Sequence, residues 1–227
     1  MLNYRDRSKE VKNGKKYFGL ILQIIILIFA PLIYENIGMH YGGPLGVRYF
    51  YADFFNPKFL GLPILVWFFW IVFILIGYSL TNAFIEFLLK RDYFFHINSI
   101  SNLILCAFLD GFAVMTFDFF IDPVSVKFGL WVWQNNSQYS YFDVPFGNFI
   151  GWFVIVSTTT FLVRLIDQTF QIKPNEKLVL ISPYLYLAIV FVSFILSFIL
   201  FGFELSITSL LLSSPIVIFS FYTIRAS

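Results

Sequence analysis

Residues 118–152, DFFIDPVSVKFGLWVWQNNSQYSYFDVPFGNFIGW, join two long apolar runs of the chain. The segment starts with two carboxylates four residues apart, Asp118 and Asp122, and Pro123 follows directly. Its last residues, Gly151 and Trp152, open the next apolar run. Acidic side chains at the mouth of a membrane helix are costly, so their presence needs a structural or chemical reason.

The composition of the chain is typical of an integral membrane protein. Of its 227 residues, 59% are hydrophobic and only 12% are charged, and the mean hydropathy is +0.81. A soluble domain carries about 25% charged residues. The net charge of +2 gives a nucleic-acid partner little support. The single cysteine, Cys106, excludes a disulfide within the chain.

Apolar runs of about 20 residues recur along the whole chain and predict an all-α integral membrane protein with about six transmembrane helices in one bundle. We place these helices at about residues 17–34, 59–82, 98–121, 146–166, 178–201 and 204–224. Residues 1–16 are interpreted as a basic cytoplasmic tail, and residues 17–227 as a single polytopic membrane domain. Two loops rich in glycine and aromatic residues, 35–58 and 123–145, follow the first and third helices.

The distribution of Lys and Arg predicts how these helices are oriented. Twelve basic residues fall in the N-terminal tail, the two turns at 83–97 and 164–177, and the C-terminus, against three on the other side. Cytoplasmic segments carry an excess of Lys and Arg, so we expect a multi-pass protein of the cell membrane with both termini in the cytoplasm. The two glycine- and aromatic-rich loops then share the non-cytoplasmic side, where they can converge.

The carboxylates of the opening segment are the first candidates for chemistry. Asp118 and Asp122 lie at i and i+4, which places them on one helix face. Two close carboxylates in a low-dielectric site cannot both ionise cheaply, so one is expected to stay protonated and able to act as a general acid. The alternative is a pair that caps loop amides or binds Arg48 or Lys127. Asp110 lies two turns deeper, where it needs a polar partner or must be neutral.

Aromatic residues in and near the two loops form a second set of candidates. The set consists of Tyr49, Tyr51, Trp70, Trp131, Trp133, Tyr139, Tyr141 and Trp152. An interfacial belt accounts for any single one of them. Taken together, they also suit cation–π stabilisation of a carbocation, or stacking along a polyene. Trp131 and Trp133 would present one face together if their segment is extended.

Several cofactor-dependent activities are disfavoured by the residues that the sequence contains. His40 and His96 are the only histidines, which is too few for the two irons of membrane hydroxylases or desaturases. The sequence has neither a glycine-rich phosphate loop nor a pair of Asp-rich boxes for magnesium and a diphosphate. We therefore expect no metal site and no cofactor, and protonation is the chemistry that the remaining residues favour.

The two loops carry a recognisable set of spaced residues. In the second loop these are Asp118, Asp122, Pro123, Gly129, Trp131, Trp133, Val144, Pro145, Asn148, Gly151 and Trp152. The first loop and the following helix add Glu35, Gly38, Gly42, Pro44, Gly46, Tyr49, Tyr51, Gly61, Pro63 and Trp70. Together they resemble the membrane carotenoid-biosynthesis family of bisanhydrobacterioruberin hydratases and γ-carotene 1′-hydroxylases. One extra residue between Gly46 and Tyr49 departs from the pattern, as does the run Ser-Tyr-Phe-Asp before Val144. These departures bear on the choice of substrate more than on the class of reaction.

This resemblance implies a carotenoid hydratase, a hydro-lyase that adds water to the terminal isoprenoid double bond of an acyclic carotenoid and gives a tertiary alcohol. We expect Asp118 or Asp122 to be the acid, with the other carboxylate or Glu35 positioning water and Asn148 orienting water or the acid. The residues expected to contact or stabilise the substrate are Trp131, Trp133, Tyr49, Tyr51, Trp70, Trp152 and Asp110. The expected partners are a carotenoid or other polyene substrate, the lipid bilayer, and other enzymes of carotenoid biosynthesis.

Two other functions remain open at the level of the sequence. A membrane carotenoid cyclase of the lycopene type would use the same proton and the same cation, but would quench the cation by ring closure. A non-enzymatic polyene-binding protein would need the aromatic residues and not the acid. Hydration adds the mass of water to the product, whereas cyclisation leaves the mass unchanged.

Overall fold

The computed structural model describes residues 4–42, 47–89, 99–134 and 139–226, and it shows six long helices in these ranges. They are α1 (Tyr4–Tyr41), α2 (Ile64–Leu89), α3 (Ile100–Lys127), α4 (Phe146–Phe170), α5 (Glu176–Phe201) and α6 (Phe203–Ala226). Each contains a segment long and apolar enough to cross a membrane. The prediction of an all-α multi-pass membrane protein with six spans is confirmed.

Several helix ends lie outside the bounds predicted from apolar runs. Helix α1 begins at Tyr4 because Lys, Arg and Glu are good helix formers and extend the helix beyond its apolar part. It also continues beyond Pro31, so Glu35 lies inside the helix and not at its exit. Helix α3 likewise runs to Lys127 with Pro123 inside it, so the second loop begins later than expected.

Helix α2 begins later than predicted because residues 58–63 form a tight hairpin. Strand β2 (Lys58–Phe59) pairs with strand β3 (Leu62–Pro63) around Gly61, whose φ of +80° favours glycine. Pro63 immediately precedes Ile64, the first residue of α2. Proline lacks an N–H group, so it is well tolerated next to the first turn of a helix, where that group would have no partner.

The two glycine- and aromatic-rich loops meet in a two-stranded antiparallel sheet. Strand β1 (Tyr49–Tyr51) from the first loop pairs with strand β4 (Trp131–Trp133) from the second. The register places Tyr49 opposite Trp133 and Tyr51 opposite Trp131. The two loops therefore converge, and residues 131–133 are extended, which is the condition for Trp131 and Trp133 to present one face together.

A further short hairpin leads directly into α4. Strand β5 (Ser140–Tyr141) pairs with strand β6 (Val144–Pro145), and Phe146 begins the helix. The Tyr141 hydroxyl forms a hydrogen bond of 2.9 Å with Ser209 of α6. The hairpin thereby attaches the second loop to the last helix and fixes where α4 starts.

The core of the bundle lies around α3, which is the most buried of the six spans. Its apolar face contributes Val114, Phe117 and Phe120, each at most 1% exposed. Phe117 packs against Phe73 of α2 and Tyr186 of α5, with ring centroids 5.4 and 4.8 Å apart. Because α3 is surrounded on several sides, the polar side chains in its middle, Asp110, Thr116, Asp118 and Asp122, are buried.

Candidate functional site

Two carboxyls and one amide form the centre of the candidate site. Asp118 and Asp122 lie one turn apart on the buried face of α3, and both are at most 2% exposed. Asn148, in the first turn of α4, donates from Nδ2 to Asp118 Oδ2 at 2.8 Å and to Asp122 Oδ2 at 2.5 Å. The predicted i, i+4 pairing thus brings both acids to the same amide group.

Glu35 of α1 is the third carboxyl of the site, and it is bound by three donors. The hydroxyls of Tyr49 and Tyr51 both donate to Oε2, the second at 2.9 Å, and Trp70 Nε1 donates to Oε1 at 2.8 Å. Burial, followed by the charge of Glu35, raises the pKa of both tyrosines well above the usual range, so they stay protonated and can donate. We call Glu35, Asp118, Asp122 and Asn148 the carboxyl cluster.

In the described part of the chain, the side chains that donate hydrogen bonds to the carboxyl cluster are neutral: two tyrosines, a tryptophan and an asparagine. The second oxygens of the two aspartates, Asp118 Oδ1 and Asp122 Oδ1, are buried with no hydrogen-bond partner. Buried polar atoms without partners are unusual in folded proteins and commonly mark a functional site. Among the described residues, neither aspartate forms an ion pair with Arg48 or Lys127, the alternative that the sequence left open.

Aromatic rings surround the carboxyl cluster because the β1–β4 register stacks them in pairs. Tyr49 lies 5.0 Å from Trp133, and Tyr51 lies 5.8 Å from Trp131, measured between ring centroids. Residues at i and i+2 of a strand point to the same face, so all four rings face the same way. On the helices, Trp70 and Trp152 add a second pair 4.5 Å apart.

These groups border one cavity of about 570 Å³. Its lining includes most of the residues predicted from the sequence: Glu35, Tyr49, Tyr51, Trp70, Asp122, Trp131, Trp133, Asn148 and Trp152. The remaining lining is largely apolar, and the volume lies within the usual range of roughly 300–1,000 Å³ for small-molecule sites. Asp118 does not line the cavity and contacts it through Asn148 and its neighbour Asp122.

The cavity also reaches the outer surface of the bundle between α2 and α5. Phe68 and Phe69 of α2 are 58% and 42% exposed and line it on one side. Leu185 and Val192 of α5 are 39% and 54% exposed and line it on the other. The cavity therefore opens to the lipid-facing surface. The sequence does not indicate that α5 belongs to the site, because a helix that is apolar on all sides carries no signal of which face lines a cavity.

Asp110, the deepest predicted candidate, lies apart from this cavity in a second polar group. Arg164 of α4 donates to both of its carboxylate oxygens, at 2.6 and 2.8 Å, and also binds Asn82 Oδ1 at 2.8 Å. The guanidinium lies over the ring of Tyr78, 4.4 Å from the centroid. We call these four residues the arginine cluster. Asp110 has the polar partner that its depth requires, and its position gives no support to substrate binding.

Arg164 itself differs from its predicted setting. The sequence places Arg164 in the turn at 164–177, but the residue lies inside α4 and is 1% exposed. Without Arg164, the predicted cytoplasmic side still carries more Lys and Arg than the other side. The cytoplasmic location of both termini stays a prediction. Pro44, Gly46 and His96 lie outside the described residues.

Known proteins provide an independent comparison. The model of a family described as "carotenoid biosynthesis protein" matches residues 14–215. The chain belongs to this family. The match covers α2 to α5 and both loops, together with most of α1 and about half of α6, and it agrees with the membrane carotenoid-biosynthesis family indicated by the sequence motifs. No curated protein and no solved structure matches the chain.

Membership of the carotenoid biosynthesis protein family points to an enzyme of that process, while the reaction itself has to be argued from the site. Among the described residues, no group of three or more His, Cys, Asp or Glu side chains could hold a metal ion. The expectation that the reaction needs no metal and no cofactor stays a prediction.

Proposed function

We propose that this carotenoid biosynthesis protein is a carotenoid hydratase. It adds water to the terminal isoprenoid double bond of an acyclic carotenoid and produces a tertiary alcohol. The observation that carries the proposal is the position of Asp122: a buried carboxyl, paired with a second carboxyl and bound by a neutral amide, on the wall of an apolar, aromatic cavity. A proton donor beside an apolar cavity suits the protonation of an alkene.

Asp122 is the proposed acid because, of the two aspartates, it is the one that lines the cavity. Two negative charges held this close in a low-dielectric site repel each other, so the pair retains a proton. Asp118 keeps that proton available from behind, through the Asn148 amide that both carboxyls share. Asn148 holds the two side chains in place while the proton is transferred.

The reaction then proceeds in two steps. The π electrons of the terminal double bond take the proton of Asp122 and form a new C–H bond at the less substituted carbon, which leaves a tertiary cation. A water oxygen attacks the cation and forms the C–O bond, and one proton of that water returns to the carboxyl cluster. The acid is regenerated, and the net change is the addition of one water.

The aromatic rings and Glu35 stabilise the cation between these steps. Tyr51, Trp131 and Trp133 line the cavity on the same side, and their π faces attract a positive charge. Glu35 accepts three hydrogen bonds, each of which offsets part of the cost of burying its ionised form. An ionised Glu35 supplies a negative charge at the cavity wall and is a second acceptor for the proton released by water.

The opening between α2 and α5 accounts for how a long polyene reaches the site. Carotenoids partition into the bilayer, and the cavity opens at the lipid-facing surface beside Phe68 and Val192. One end of the polyene occupies the cavity, and the remaining chain extends through this opening into the lipid.

Expression in a lycopene-producing host, followed by mass analysis of the pigments, tests the proposed function. We expect products heavier than the acyclic carotene by one or two waters. Products of unchanged mass and shorter chromophore would indicate a cyclase instead. Unchanged pigment in the presence of well-expressed protein would indicate a non-enzymatic polyene-binding protein.

A further inference from the structure

A second, smaller cavity of about 80 Å³ lies beside the first, between the end of α1 and the start of α4. Four glycines line it: Gly38 of α1, Gly42 directly after the end of α1, and Gly147 and Gly151 of α4. One water molecule needs about 10–15 Å³ of cavity volume, so this cavity has room for several waters. The volume is far too small for the end of a carotenoid.

The two cavities share a wall that carries the polar groups of the site. The residues lining both are Glu35, Tyr49, Trp70, Trp133, Asn148 and Trp152. Among them, Trp133 has a buried Nε1 with no hydrogen-bond partner. A buried N–H donor without a partner, beside a small space that Glu35 and Asn148 also line, is a typical place for an ordered water. Asp122, the proposed acid, lines only the larger cavity.

The glycines explain why this space exists. A Cβ atom added at Gly38 would approach the Tyr49 hydroxyl to 3.0 Å, whereas one added at Gly151 would meet nothing within 4 Å. The backbone of α4 at Gly151 therefore borders open space beside the small cavity that it lines, and a Cβ atom placed there would displace none of its neighbours.

We propose that this small cavity holds the attacking water and delivers it to the cation through the shared wall, opposite the polyene. The inference rests on the proposed hydration and adds the source of its second reactant. A polyene end that fills the larger cavity excludes water from it, so water has to approach from another side. Glu35 and Asn148 line both cavities, and from there they orient a water toward the cation, while the Glu35 carboxylate accepts its proton.

The experiment uses the purified full-length protein in liposomes, with an acyclic carotene, in D₂O. Two products are measured by mass: the hydrated carotene, and unhydrated carotene that has gained deuterium at its chain end. Deuterium enters when the acid protonates the alkene and the cation then loses a proton from a neighbouring carbon. This exchange reports the acid step whether or not water adds. The variants are Gly151→Leu, which fills the small cavity, and Gly151→Ala, which fills it partly. Leucine and alanine are both better helix formers than glycine, so α4 is retained.

We expect Gly151→Leu to keep deuterium exchange while the ratio of hydrated to exchanged carotene falls by about tenfold or more, which equals about 1.4 kcal/mol in the partitioning of the cation. Gly151→Ala should give a smaller fall in the same ratio. The matched control is Gly14→Leu, the same substitution at an exposed position of α1 outside both cavities, which should leave the ratio unchanged.

The outcomes separate this inference from the proposed function. A normal ratio in Gly151→Leu, or an equal loss of exchange and hydration, would overturn the inference while wild-type hydration still upheld the function. A wild-type protein that exchanges deuterium but never hydrates the carotene would overturn both, because the cation would then form without a water to quench it.

Discussion

The carboxyl cluster and the arginine cluster solve the same physical problem in opposite ways. Both place ionisable side chains inside an apolar bundle, where an unpaired charge is costly. In the arginine cluster, both oxygens of Asp110 receive N–H groups from Arg164, so the charges are balanced. In the carboxyl cluster, the partners are neutral and one oxygen of each aspartate is left without a hydrogen bond.

We infer from this difference that the arginine cluster serves stability and that the carboxyl cluster serves the proposed chemistry. A balanced ion pair in which both carboxylate oxygens accept hydrogen bonds has little left to offer a substrate. A pair of carboxyls beside a cavity retains a transferable proton, a state that is unfavourable for the folded protein and useful for catalysis. The four predictions that follow test this contrast, from the largest expected effect to the smallest.

Replacing the proposed acid should abolish the reaction and leave the fold intact. In Asp122→Asn the transferable proton is lost, and we expect hydration to fall by about 10²–10⁴-fold, the usual contribution of a general acid. Asp118→Asn should also reduce the rate strongly, since it ends the sharing of the proton. Both variants remove like-charge repulsion, so their melting temperatures should equal or exceed that of the wild type.

The readout for these two variants is product mass together with a thermal melt in detergent. Unchanged conversion of the carotene by both variants would refute the assignment of the acid. A large drop in melting temperature would show that the carboxyl cluster is a structural element like the arginine cluster.

Breaking the arginine cluster should have the reverse effect. Arg164→Met leaves Asp110 buried without its partner, which we expect to destabilise the protein by about 3–5 kcal/mol. The double variant Arg164→Met, Asp110→Leu removes both charges and should recover much of that stability, because an apolar pair avoids the cost of desolvation. Thermal melts of the three proteins measure this, and the activity of the double variant should survive. If the double variant folds well and yet loses hydration, Asp110 has a role in the reaction.

Removing one donor to Glu35 should have a moderate effect on the rate. Tyr51→Phe deletes the hydroxyl that binds Glu35 at 2.9 Å but keeps the ring beside Trp131. A hydrogen bond to a charged group contributes about 1.5–3 kcal/mol. The fraction of this energy that stabilises the transition state determines how far the rate falls. Tyr139→Phe is the matched control, since Tyr139 is 75% exposed and lines neither cavity. Equal rates for the two variants would remove Glu35 and its donors from the mechanism.

Narrowing the lipid-facing opening should cost the least. Leu185→Trp places a large ring where the cavity emerges between α2 and α5, and we expect a severalfold slower turnover of a long carotene. Leu180→Trp makes the same change on α5 at a lipid-exposed position outside the cavity and should leave turnover unaltered. Initial rates in liposomes distinguish the two. If Leu180→Trp slows the reaction as much as Leu185→Trp, the polyene does not enter by this route.

The sequence predicts the helices well because the length of an apolar run is a local property. It predicts their ends less well, since charged residues such as those before Tyr17 and prolines such as Pro123 are compatible with continuing a helix. The meeting of the two loops followed from topology, and Trp131 and Trp133 suggested a strand. The register of that strand with Tyr49 and Tyr51 depends on contacts across about 80 residues, which no local pattern encodes.

The candidate site shows the same division between local and long-range information. The i, i+4 spacing of Asp118 and Asp122 was enough to place them together, and the need of Asp110 for a polar partner followed from its depth. That partner, Arg164, lies 54 residues away in the sequence, and the sequence alone places it in a turn. The α5 wall of the cavity and the small cavity beside Gly151 are products of packing, for which an apolar sequence offers no distinguishing signal.

The central claim is that this carboxyl cluster adds water to an alkene. Purified wild-type protein in liposomes, given an acyclic carotene in water enriched in heavy oxygen, tests it most directly. We expect a product that has gained one or two waters, with the heavy oxygen in the new tertiary hydroxyl and with almost no product formed by Asp122→Asn. A product of unchanged mass, or a hydroxyl that carries oxygen from a source other than water, would contradict it.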